Sequence, residues 1–140
     1  RSARPPEPDI PFICEDVTPR ALRVPEGDAR GHANGVTGVA GITVAVRDMA
    51  ASVARYRALT GLEPLACGAV PGLGFGLVQF RIGHQMLSLT QPRGDACEGL
   101  TRHLGRRRQG AYAISFHGPE DRCLDRALAH GARLEIVKAL

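Results

Sequence analysis

Hydrophobic and polar positions alternate with a period of two early in the chain. In "GITVAV", Ile42, Val44 and Val46 face one way and Gly41, Thr43 and Ala45 the other, which predicts a strand with one buried face. Asp48 follows, a side chain suited to accept bonds from the open amides of a first helical turn. Met49, Val53, Tyr56 and Leu59 then fall on one helical stripe, and Gly61 is placed to stop the helix in a left-handed conformation. "EPLACGAV" reads as an extended segment, "PGLG" as a turn, and "FGLVQFRIG" and "HQMLSLTQP" as two strands. The tight Ile82-Gly83-His84 junction pairs those strands as a hairpin.

"DACEGLTRHLGRRRQG" reads as a short helix and a basic linker. The first pattern then restarts. Tyr112, Ile114 and Phe116 alternate, and Pro119 suits a first helical turn. Leu124, Ala127 and Leu128 make an apolar stripe, Gly131 stops it, and a strand begins at Leu134. Strand, turn, helix and strand thus recur about 70 residues on, as an internal repeat of order more than of sequence.

Before His32 the chain is rich in proline and charge, with one short strand expected at Pro11–Cys14. The organisation expected is an extension over residues 1–31, resembling over 11–25 the tail of a preceding module, and a domain over 32–140.

The length of 140 residues suits one domain able to bury roughly 70% of its unfolded surface. Aromatics are 4% and there is no Trp, so small aliphatic residues must fill most of the core. Lys138 is the sole lysine, a bias that fits a GC-rich bacterial genome. Net charge is +4, much of it in Arg106, Arg107 and Arg108. No aromatic residue interleaves that run, so it reads as a solvated helix end, and a nucleic-acid partner is not expected. Cys14, Cys67, Cys97 and Cys123 lack the spacing of a zinc or redox motif. They read as free thiols in a reducing cytoplasm, with Cys123 packed in the helix expected after Pro119. No apolar run approaches a membrane span.

The stretch "ITVAVRDMAASVARYRALTGLEP", with its lead "HANGVTGVAG", resembles a module of the vicinal oxygen chelate superfamily, the glyoxalase, bleomycin-resistance and extradiol-dioxygenase group. The resemblance spans about residues 32–138. It implies an α+β fold of βαβββ modules, one complete and a second partial. It also implies a cup with one sheet face on its helix and the other lining a cavity. Thr43, Leu77, Gln79, Arg81, His84, Met86 and Ser88 would then line the cavity, with Thr90, Ala111, Ala113 and Ser115 on the same parity.

Metal-dependent relatives hold a divalent ion with His on a module's first strand and Glu on its last. Aligned residue by residue, those positions hold Gly41, Ala113 and Ser88. No cofactor is therefore expected, and a divalent metal is left without support from the aligned positions. His32 reads as a turn residue, His103 and His130 as solvent-facing near helix ends, and His117 as a turn cap.

The reading that results is a glyoxalase-like protein with a small-molecule cavity that lacks the family's metal site. The alternatives are a metal-dependent lyase, isomerase or dioxygenase, and a structural or partner-binding module. The missing half of the cup is expected from a longer parent chain or from a second copy, and so a homodimer. Arg81, as the one charge on the cavity face, would either meet an anionic group or stand at a solvent-facing hairpin end.

Overall fold

The computed structural model describes residues 10–11, 15–70, 74–94 and 97–138. The strand expected at Pro11–Cys14 and most of the "PGLG" turn lie outside those residues. Residues 15–37 carry two short 3-10 turns, Arg20–Leu22 and Gly27–Arg30, neither with a buried residue.

The first module forms as its pattern predicts. It runs β1 (Gly38–Ala45), α1 (Met49–Thr60), β2 (Ala66–Val70), β3 (Phe75–Ile82) and β4 (Gln85–Pro92). Asp48 caps α1 by accepting from Ala51 N at 2.9 Å, and Gly61 ends it with φ 69°. Asp48→Ala is expected to lower stability by about 1 kcal/mol. A melting temperature lower by about 3–5 °C would show this, and an unchanged melt would mean that solvent replaces the cap.

α1 packs on one face of the sheet. Val44, Val46, Tyr56, Val78, Phe80, Leu87 and Leu89 form the core there, with Ile42, Met49 and Val53 against it. Leu59 departs from the expected stripe and is exposed. At 3.6 residues per turn it sits about 80° round from Met49, whereas Thr60 falls back into line, and Thr60 is half-buried.

The second module differs more. α2 (Glu98–Arg106) is followed by β5 (Gly110–Gly118), β6 (Arg122–Cys123) and β7 (Leu134–Lys138). The helix expected after Pro119 does not form. Leu128 is 83% exposed, and Cys123 is exposed on a two-residue edge strand rather than packed in a helix. An isolated helix of that length is marginal without an apolar surface to lie on, and β5 with β7 offers half the width that β1–β4 gives α1. β7 instead lies parallel to β5, as β4 lies parallel to β1.

The described strands make one sheet in the order β2-β3-β4-β1-β5-β7-β6. β1 and β5 join the modules antiparallel, with irregularities at Val39/Gly41 and Thr43/Val44. At the second, Tyr112 is the extra residue of β5. Such a bulge re-aims a side chain, and Tyr112 packs with Ala45, Leu100 and Leu104 instead of following Ile114. Gln91 fastens the turn into α1, donating to Arg47 O at 2.7 Å and accepting from Met49 N at 3.3 Å.

Candidate functional site

The sheet face away from α1 is concave. Its floor is set by register, since residues directly opposite on neighbouring strands share a face. One rung runs Gln79, Ser88, Thr43, Ala113 across β3, β4, β1 and β5. The next runs Met86, Gly41, Ser115, Glu135 across β4, β1, β5 and β7. α2 closes one end, with Leu100 and Leu104 buried over Ala45. The resulting cleft has a volume of ≈ 470 Å³.

Thr43, Leu77, Gln79, Met86 and Ser88 all line this cleft, with Thr90, Ala113 and Ser115. Arg81 and His84 do not. Both are exposed at the end of the β3–β4 hairpin, whose turn holds Gly83 at φ 60°. The β1–β4 ladder stops at Gly41–Met86, so the hairpin runs on past the cleft wall into solvent. Ala111 is also outside, because the bulge at Tyr112 breaks the parity of β5.

The polar groups of the floor come in two pairs. Gln79 Nε2 donates to Ser88 Oγ at 3.2 Å, and the Ser115 hydroxyl donates to the Glu135 carboxylate. Glu135 is the sole carboxylate among the described residues lining the cleft. The sequence alone does not assign it to a site. The signal was the alternation in "LEIVK", which sets Glu135 opposite to buried Ile136, but a strand of unknown neighbours gives no face to assign.

The donor set does not fit a divalent ion. Gly41 has no donor, Ala113 has none, and Ser88 offers a neutral hydroxyl. Among the described residues no three of His, Cys, Asp and Glu cluster. Cys67, Cys97 and Cys123 are free thiols.

Tyr112 is the wall between this cleft and a second one of ≈ 560 Å³ beneath α2. There the Arg133 guanidinium lies 4.1 Å from the centre of the Tyr112 ring, and His103 meets that ring edge-on at 5.0 Å. His103 is thus half-buried rather than solvent-facing. Its pKa is lowered below the usual 6.5, first by burial and then by the Arg133 and Arg107 charges. The unfolded chain therefore binds a proton on His103 more readily than the folded one. The stability from the neutral ring is present above about pH 6.5 and is lost as pH falls through the depressed pKa. Thermal melts from neutral to mildly acid pH should fall less steeply in His103→Phe, which keeps an aromatic edge on Tyr112. Parallel profiles would remove His103 from the acid response.

The architecture is the glyoxalase-like βαβββ fold, as a comparison with solved structures shows. Methylmalonyl-CoA epimerase from Mycobacterium tuberculosis is similar with a TM-score of 0.67 at 15% identity, over 80% of this chain and 95% of that one. A variant of the Streptomyces coelicolor methylmalonyl-CoA epimerase, solved with 2-nitronate-propionyl-CoA, is similar with a TM-score of 0.63 at 22% identity, over 74% and 95%. A hypothetical protein from Bacillus halodurans gives a TM-score of 0.62 at 15% identity, over 73% and 94%. These are likenesses of fold. No family model matches the sequence, and no curated protein matches it significantly. No helix of the described residues is long and apolar enough to cross a membrane.

Proposed function

We propose that this chain is a small-molecule-binding protein whose ligand lies on the concave sheet face without a metal ion at the family position. The observation that carries this is the rung Met86–Gly41–Ser115–Glu135: an apolar and open floor ending in one carboxylate. Ligand sites commonly combine an apolar lining with a few convergent polar groups. Thr43, Leu77, Gln79, Met86 and Ser88 supply the lining, and Glu135 with Ser115 fixes the polar end of the ligand. The ligand is then a modest apolar molecule with a hydrogen-bond donor. Arg81 and His84 have no part in holding it.

A second reading follows from Glu135. A carboxylate in a cleft can take a proton from carbon next to a carbonyl, with the electron pair moving to the carbonyl oxygen, and return it afterwards. The fold likeness to epimerases supports an isomerase of this kind. Pairing of two copies belongs to the same proposal. Ile114 shares its face with Ile42 through their pairing and is only half-buried in one copy, and a second copy can cover it.

The test is a thermal-shift screen of neutral and acidic small molecules on the wild type, Ser88→Phe and Glu135→Gln. Ligand stabilisation follows free ligand over Kd. Binders should lose their shift in Ser88→Phe, which fills the floor. Binders that shift all three proteins alike would place the site elsewhere. Exchange of solvent deuterium into a bound carbon acid, absent in Glu135→Gln, would favour the isomerase. Light scattering that gives a monomer at micromolar concentration would remove the second copy.

A further inference from the structure

The groove beneath α2 gathers positive charge from two separate segments. Arg102 and Arg106 stand one helical turn apart on α2 and so share a face. Arg107 follows at the helix end, and Arg126 and Arg133 enter from the chain between β6 and β7. Among the described residues, one of these five guanidinium groups makes an ion pair, Arg102 with Glu98. Arg126 donates to Gly131 O at 3.2 Å, which neutralises nothing. A helix C-terminus tolerates cations near its last carbonyls, and this accounts for Arg106 and Arg107. It does not account for Arg126 and Arg133, which the topology brings in from about twenty residues further on.

We propose that this groove is a second binding site, for a compact oxyanion of the pyrophosphate type that carries two or more negative charges. Guanidinium groups converging from several sides give paired, charge-assisted bonds to phosphate oxygens. The cleft of ≈ 560 Å³ has room for such a group and lies next to the concave floor, sharing Tyr112 and Ala113 with it. A nucleic-acid strand fits less well. Single-stranded binders stack bases on exposed aromatic faces, and here the Tyr112 ring is covered by Arg133 and met edge-on by His103. Burial lowers the pKa of His103 first, and the Arg133 and Arg107 charges lower it further. A bound anion offsets Arg107 and Arg133 and draws the pKa of His103 back up.

The probe is sodium pyrophosphate, titrated by calorimetry at low salt, with sulfate at matched ionic strength as the comparison. Pyrophosphate should bind at least about tenfold more tightly than sulfate. Arg106→Gln with Arg126→Gln should weaken it about tenfold or more, with an unchanged melting temperature, since both residues are exposed. If that pair fails to fold, Arg107→Gln with Arg126→Gln replaces it. Ring-proton NMR should show the His103 pKa rising when pyrophosphate is added. Ser88→Phe should keep pyrophosphate binding even where it abolishes ligands of the concave cleft, which separates this site from the other. Equal affinity for sulfate, no loss in the double variants, or tighter binding of a short single-stranded oligonucleotide would each overturn the assignment.

Discussion

Phe80→Ala is expected to lower stability by about 3–5 kcal/mol, the range for deleting a buried aromatic ring. Phe80 is fully buried on β3, and its ring lies 6.2 Å from that of Tyr56 on α1. Its other neighbours in the cluster are aliphatic: Val44, Val46, Val78, Leu87 and Leu89. Branched side chains on a paired sheet cannot lean far enough to refill a phenyl-sized hole. With no Trp and four Phe in the chain, little else in the core can compensate. Domains of this kind hold about 5–15 kcal/mol in total, so a large share of the stability is lost. Urea unfolding should show a much lower midpoint, and the melting temperature should fall by about 10–20 °C. Ile82→Ala is the control. Ile82 is two residues on along the same face but 42% exposed, and its loss should be under about 1 kcal/mol. Equal effects at the two positions would mean that α1 does not seat on β3 as described.

Phe80 could be placed from sequence because its strand sits in a complete module. Period-two patterns in β1, β3 and β4 each assign a face, and one helix stripe says which face is covered. Asp48 and Gly61 bound that helix by local chemistry alone, so they too were legible. The concave lining followed by parity, which placed Thr43, Leu77, Gln79, Met86 and Ser88 together in the cleft.

Parity fails where the sheet stops or slips. It sent Arg81 and His84 inward, because alternation says nothing of how far a hairpin outruns its neighbours. It sent Tyr112 to the wrong side, because a bulge leaves no mark in the residue types. The helix expected over 119–130 had a real stripe in Leu124, Ala127 and Leu128. What it lacked was a surface, which is a property of the rest of the fold and not of the segment. Glu135 and the grouping of Arg126 and Arg133 with Arg102 and Arg106 were hidden for the same reason. Both depend on β7 lying beside β5.

Gly41→Ala is the second large effect. Gly41 pairs with Met86 across the parallel β1–β4 ladder, next to the irregularity at Val39/Gly41. A Cβ added there would overlap the Met86 carbonyl oxygen and stand 3.2 Å from its carbonyl carbon and 3.3 Å from Met86 Cβ. These are mainly backbone atoms of a paired strand, so no side chain can swing aside. Relief requires β1 and β4 to part at the centre of the sheet, where Ile42–Leu87 and Thr43–Ser88 are the next pairs. The expected loss is about 3 kcal/mol, the upper end of the range for overpacking. Gly38→Ala on the same strand meets nothing within 4 Å and should change stability by less than about 0.5 kcal/mol. The comparison also bears on function. The sequence resemblance aligns Gly41 with a first-strand histidine of metal-dependent proteins, and any histidine needs the same Cβ. A Gly41→His, Ser88→Glu, Ala113→His variant should therefore be destabilised rather than gain a tight metal site, as urea unfolding with and without added Mn²⁺ or Zn²⁺ would show. If Gly41→Ala unfolds at the same urea concentration as Gly38→Ala, β1 and β4 are not this close, and the floor of the cleft has room for a ligand-bearing side chain.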